Sequence, residues 1–247
     1  MERLGLVGLP NAGKSSLFNA LTGASAAVAA HPFSTTESSV GVAQVPDERL
    51  ARLAEMSDSR KVVPAGVEFS DIAALVKGAN TGEGLGNRFL GSLREVDALV
   101  YVLRAFEDPS VPGGTDPSGA PRAPDPADDL ATLEFELVLA DLASVQNRIV
   151  RQEKALKGDR SLLPEIEALR RAAAVLDEGT PIYRAHLQAD DRDLLRPSFL
   201  LTNKPVLVVV NIGEDQVEEA DKHAAPFGAD AVAVCVQLEA EAARLDP

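Results

Sequence analysis

Six short runs of apolar, β-prone residues punctuate the chain: Leu4–Val7, Val40–Val45, Val67–Phe69, Ala98–Leu103, Val206–Val210 and Ala231–Val234. Most are separated by loops or by stretches with helical spacing, the first of them Leu17-Phe18-Ala20-Leu21. Buried strands alternating with helices predict an α/β fold, three-layered around a mostly parallel, doubly wound sheet. The stretch 109–126 is dense in Pro, Gly, Ser and Asp and has little to bury, so it reads as a loop. After it the period changes. Leu130, Leu133, Leu137, Ala140 and Leu142 repeat at helical spacing from Asp128, followed by Val145, Ile149 and a charged face through Lys157. A second helix is expected from Leu162 to Leu176, with Gly158-Asp159-Arg160 as the turn and Glu178-Gly179-Thr180-Pro181 as the stop. Together they predict an antiparallel helical hairpin inserted between sheet strands, dividing the chain into 1–127, an inserted 128–196 and a returning 197–247.

Charge narrows the possible partners. With 24 Lys and Arg against 38 Asp and Glu, the net charge of −14 opposes a surface coated in positive potential, and recognition of DNA sequence is not expected. Nucleic-acid contact has to be regional. The stretch Arg148–Arg171 holds seven cations against four anions, a local excess of 7 − 4 = +3, and is either a solvated face or a contact surface for RNA or a ribosome. Cys235 is the single cysteine, which excludes an internal disulfide and a cysteine-built metal site. No apolar run approaches the roughly 20 residues that span a bilayer, and Met1 is followed by strand residues rather than a basic leader. A cytoplasmic protein without a membrane partner is expected.

The first strand runs into Gly8-Leu9-Pro10-Asn11-Ala12-Gly13-Lys14-Ser15, the pattern G-x-x-x-x-G-K-[ST], followed by Ser16. Backbone N–H groups of such a loop wrap polyphosphate, and its glycines stand where a Cβ would block close approach or where φ is positive. Lys14 is placed to reach the β- and γ-phosphates, Ser15 to ligate Mg²⁺, and the helix opening near Gly13 to aim its dipole at the anion. The reading is therefore a nucleoside triphosphatase, with Lys14 and Thr35 as the candidate catalytic residues.

Phosphoryl transfer also needs an acid near the metal and a segment that senses the γ-phosphate. Asp71 ends the third strand, at the edge where a carboxylate meets bound phosphate, and is the expected metal-side acid beside Ser15. Lys77–Asn87 carries four glycines and is the expected switch. In the loop His31–Glu37, Thr35, with Thr36 second, is expected to close over Mg²⁺ and the γ-phosphate. Base reading is expected after the fifth strand at Asn211-Ile212-Gly213-Glu214. Guanine-specific proteins place N-K-x-D there, the Asp accepting two hydrogen bonds that adenine does not offer. With Glu214 as the acid and Ile212 in place of the lysine, guanine selectivity weakens and ATP becomes the expected nucleotide, with GTP as the alternative.

In this order the P-loop, Pro32-Phe33-x-Thr35, Asp71-Ile72-Ala73, Leu75-Val76-Lys77-Gly78-Ala79, Gly82-Glu83-Gly84-Leu85-Gly86-Asn87 and Asn211-x-x-Glu214 closely resemble the YchF or Obg-like ATPase family, across essentially the whole chain. The resemblance implies a P-loop G-domain with the hairpin inserted, ATP preferred over GTP, slow Mg²⁺-dependent hydrolysis and association with ribosomes or ribosomal RNA. It places Leu75 where many GTPases carry a water-positioning glutamine. Asn11 corresponds to a position at which relatives use K⁺ beside the phosphates, making K⁺ a second expected ion. Cys235-Val236-Gln237 is similar to the S-A-K segment on the base side. Ala74 stands where the family has glycine, and no histidine lies around Gly113; both would favour a nucleotide-binding interaction protein with negligible turnover. The resemblance also implies that relatives continue into a small TGS domain, which is expected to be absent here.

Overall fold

The computed structural model describes residues 1–23, 39–72, 85–111 and 122–244, with the backbone alone for 85–88. Its centre is a six-stranded sheet of β1 (Glu2–Val7), β2 (Ser39–Gln44), β3 (Gly66–Asp71), β4 (Ala98–Arg104), β5 (Val206–Asn211) and β6 (Val232–Val234), in the order β2-β3-β1-β4-β5-β6. Five strands run parallel; β2 alone is antiparallel, pairing Ser39 with Asp71 and Gln44 with Gly66. The mostly parallel sheet expected from the strand pattern is the one observed. Because β1 lies between β3 and β4, connections leave it in both directions, and the carboxyl ends of the strands open a crevice there.

Alternate side chains of the apolar strands supply two cores. Leu6, Val100, Val102 and Val209 pack with Leu17 and Phe18 of α1 (Lys14–Thr22) and Val236 of α8 (Val236–Ala242). Val7, Leu99, Tyr101, Leu103 and Val210 pack on the other face with Leu93 of α3 (Leu85–Glu95) and Leu133 and Leu137 of α4 (Pro126–Ala155). Continuous apolar runs are needed because both faces are covered.

Helix α4 starts as its sequence directs: the Asp125 carboxylate accepts the Asp128 N–H, and Pro126 takes the first turn, where no donor is required. Its length joins two cores. Leu130, Leu133 and Leu137 face the sheet, whereas Val138 and Val145 meet Leu169, Ala172 and Leu176 of α5 (Leu163–Asp177). Asp141, fully buried, fixes the junction by accepting Leu201 N–H at 3.0 Å, Thr202 N–H at 2.7 Å and the Thr202 hydroxyl at 2.8 Å. The other α-helices among the described residues are α2 (Glu48–Met56), α6 (Ala189–Leu195) and α7 (Ala220–Ala224). Among the described residues no helix is long and apolar enough to cross a membrane.

Candidate functional site

The turn from β1 into α1 has the two glycines where the backbone demands them. A Cβ on Gly8 would stand 2.5 Å from the Val102 carbonyl oxygen, so β4 would have to move. Gly13 has φ +95°, and a Cβ there would meet Asn211 Nδ2 at 2.3 Å. Asn11 adopts φ 63°, a left-handed conformation that asparagine tolerates better than most side chains. Ala12 is buried, so its main chain is what it can offer a ligand.

Beneath the turn three side chains converge. Lys14, 7 % exposed, donates to the Leu9 carbonyl at 3.4 Å. The Ser15 hydroxyl donates to Asp71 Oδ2 at 2.5 Å. Burial pushes the Lys14 ammonium down to about 8, with the Asp71 charge pulling the other way. Burial likewise raises the Asp71 carboxyl, against the Ser15 hydrogen bond and the Lys14 charge. Asp71 Oδ1 is buried and accepts no hydrogen bond among the described residues. A buried ammonium with one long hydrogen bond and a carboxylate with an idle oxygen form an incomplete electrostatic set. An anion at Lys14 and a hard cation at Ser15 and Asp71 would complete it. Among the described residues no three His, Cys, Asp or Glu side chains cluster as metal ligands.

Asn211 joins the phosphate side to the base side. Its Nδ2 donates to the Ala12 carbonyl at 3.0 Å, and its Oδ1 accepts the Val236 N–H at 3.2 Å. The parallel register brings it there, since β5 pairs Asn211 with Arg104 of β4 and with Val234 of β6. The Ile212 side chain is buried in the core, and its N–H is bonded to Val234, so it cannot stack on a base as a lysine stem would. Glu214 and Gln237 are exposed at this edge, while Cys235 and Val236 are buried.

Arg104 escaped sequence reading. It is 6 % exposed, donates to the carbonyls of Phe106 at 3.2 Å, Val111 at 3.0 Å and Asp108 at 3.4 Å, and stands 4.5 Å over the Phe106 ring. An arginine closing an apolar strand was the available signal. It shapes the loop that leaves β4 at the same edge as Asn211.

Thr35 and Thr36, the switch residues Lys77–Gly84, Ala74, Leu75 and the segment around Gly113 lie outside the described residues. The hairpin cations divide into two groups. Arg148 pairs with Glu165 at 2.6 Å, Arg170 with Glu153 at 2.7 Å and Arg171 with Asp191 at 2.6 Å. Arg151, Lys154, Lys157 and Arg160, towards the turn, are exposed and have no ion pair among the described residues.

Residues 3–121 match the family described as 50S ribosome-binding GTPase. The chain is 41 % identical to the ribosome-binding ATPase YchF of Bacillus subtilis, over 98 % of this chain and 67 % of that one. It is 40 % identical to the Obg-like ATPase 1 of Oryza sativa subsp. indica, over 86 % of this chain and 53 % of that one. In three dimensions it is similar to the YchF GTPase of Schizosaccharomyces pombe, with a TM-score of 0.75 at 28 % identity, over 99 % of this chain and 68 % of that one.

Proposed function

The chain belongs to the YchF family of P-loop nucleoside triphosphatases, and from that premise we propose that it binds ATP at the carboxyl end of its sheet and hydrolyses it slowly, as a ribosome-associated switch. The observation that carries this reading is the buried Lys14 beside the Ser15–Asp71 pair, in which Asp71 Oδ1 is buried and accepts no hydrogen bond among the described residues. The main chain of Gly8–Ser16 holds the phosphates, and Lys14 supplies the buried positive charge. Ser15 and Asp71, with Thr35 from outside the described residues, hold Mg²⁺. Held by those residues, Mg²⁺ would supply positive charge against the bound phosphates. Hydrolysis then rests on positioning and fixed charge, since Leu75 can neither orient water nor accept a proton.

Base choice falls to Glu214 and Asn211, with Cys235-Val236-Gln237 beside them. Asn211 holds Ala12 and Val236 and can spare one amide N–H only for an acceptor that both purines share, whereas buried Ile212 offers the base no stem. That weakens guanine recognition and supports ATP. The exposed carboxylate of Glu214 supports GTP as the second reading, because an acid here can still accept from guanine.

Asn11 stands in the phosphate-binding turn, where K⁺ would add positive charge. Higher turnover in K⁺ than in Na⁺ supports that use; equal turnover removes it. Ribosome association is supported by the names of the relatives and by the cationic hairpin tip Arg151, Lys154, Lys157 and Arg160. The direct test is phosphate release from ATP with Mg²⁺, beside Lys14→Ala. Release abolished by Lys14→Ala and by chelation is expected; release that survives both contradicts the site.

A further inference from the structure

The amino-terminal edge of the sheet, opposite the phosphate site, carries a cleft of about 1000 Å³ between α3, the first residues of β1 and the segment Ala189–Pro205. Its charge reverses that of the chain. The whole sequence has 24 cations to 38 anions, whereas the cleft is lined by five cations and three anions. Two of those anions are spent: Asp97 on Arg3 at 3.2 Å and Asp193 on Arg196 at 2.9 Å. The other three cations donate to neutral acceptors. Arg94 bonds the Phe199 carbonyl at 3.1 Å and the Ser144 hydroxyl at 2.9 Å, Arg192 bonds the Ile182 carbonyl at 2.7 Å, and Lys204 bonds the carbonyls of Arg94 and Val96. Among the described lining residues Glu95 alone is left to offset them. Asp141, behind Arg94, is fully buried and occupied by Leu201 and Thr202.

At the same cleft Phe199 is held in the left-handed region, at φ 50°, with its side chain exposed. A bulky residue rarely adopts that conformation, and here it is clamped on both sides: its N–H donates to the Arg196 carbonyl, and its carbonyl accepts from Arg94. The result is a fixed aromatic face beside three cations without an ion-pair partner among the described residues, the charges of Asp97 and Asp141 acting on Lys204 and that of Asp141 on Arg94 from further off. Single-stranded nucleic acid is bound by that combination, bases stacking on aromatic rings while phosphates meet arginine and lysine.

We infer that this cleft docks a single-stranded RNA segment, its phosphates on Arg94, Arg192 and Lys204 and a base on Phe199. The inference rests on the proposed ribosome association and names a surface for it. Two substitutions test it without unfolding the chain. A Cβ on Gly91, which lines the cleft from within α3, meets nothing within 4 Å, so Gly91→Glu adds a carboxylate there without a clash, and Gly91→Gln is its neutral control. Phe199→Gly removes the ring while relieving the left-handed backbone.

Fluorescence anisotropy with a fluorescein-labelled ten-residue oligouridylate, with excess ATP and Mg²⁺ occupying the P-loop, gives the readout. Gly91→Glu and Phe199→Gly are each expected to weaken binding roughly tenfold or more, with Gly91→Gln close to wild type. The wild-type affinity is expected to fall with salt at a log–log slope of about −2, from three phosphate contacts at about 0.7 each. Absence of oligonucleotide binding, or equal binding by all variants, overturns the inference. So does dependence on the hairpin tip alone, tested with Lys154→Glu/Lys157→Glu, or loss in Gly91→Glu of a ribosomal protein contact instead of RNA. Co-sedimentation with ribosomes in the same series separates the two readings: retained by the wild type without oligonucleotide binding, it leaves ribosome association standing and removes the cleft.

Discussion

At the carboxyl end of the sheet Lys14 and Asp71 are buried, each with its pKa displaced by desolvation, and the turn above them tolerates no Cβ at Gly8 or Gly13. At the amino end Arg94, Arg192 and Lys204 are only part-buried, and their hydrogen bonds go to main-chain carbonyls and a serine. The first arrangement is costly to the empty protein and is completed by a small, highly charged ligand. The second is less costly, although burial lowers the Lys204 ammonium as well, and suits a larger ligand. Burial is the variable that distinguishes a site for chemistry from a surface for docking.

The largest expected effect comes from removing the buried cation. Lys14→Met should weaken ATP binding by more than about 100-fold, because it leaves phosphate without its charged donor, while stabilising the nucleotide-free protein by about 1–3 kcal/mol. Isothermal titration and thermal unfolding of the same variant check both signs. The equivalent change at the amino end, Arg192→Gln, should leave ATP affinity unchanged. Equal effects at the two ends would erase the contrast.

Asn211→Ala comes next. It strands the Ala12 carbonyl and the Val236 N–H in a buried position, and unfolding in denaturant should show a loss of about 2–3 kcal/mol. A loss below about 0.5 kcal/mol would mean that Asn211 does not hold the two halves of the site together.

The Lys14 shift also makes a pH prediction. ATP phosphates require the ammonium, whose value in the empty site is about 8, so affinity is full below that pH and declines as pH rises through it. Between about pH 7.5 and 9 the protonated fraction falls roughly eightfold, and ATP affinity should follow. Lys14→Arg should flatten that dependence. For stability the sign is opposite to that of a stabilising ion pair. The folded value lies below the unfolded one, so between about 8 and 10.5 the unfolded chain binds more protons, and the nucleotide-free protein gains stability as pH rises. The smallest effect is expected at Phe199→Gly, which should change the unfolding free energy by no more than about 1 kcal/mol.

The phosphate site was readable because its chemistry is local in sequence. Gly8, Gly13, Lys14 and Ser15 sit in one turn, and Asp71 could be placed because a strand of known polarity ends at it. The sheet was readable for a similar reason, since runs such as Val206–Val210 are apolar on both faces. The amino-end cleft was not legible: it unites Arg94, Arg192, Phe199 and Lys204, residues up to 110 positions apart whose proximity is made by the return of the chain after α6. Arg104 was missed because nothing in its neighbours reveals that its side chain turns back onto three carbonyls. The basic stretch of the hairpin was visible as composition, but only pairing in space shows that Arg148, Arg170 and Arg171 are neutralised and the tip is not.

The most direct test of the central claim is equilibrium competition of unlabelled ATP and GTP against a fluorescent ATP analogue on the purified chain with Mg²⁺. Preference for ATP by roughly tenfold, about 1.4 kcal/mol, is the predicted result. Preference for GTP, or displacement by neither nucleotide, would contradict it.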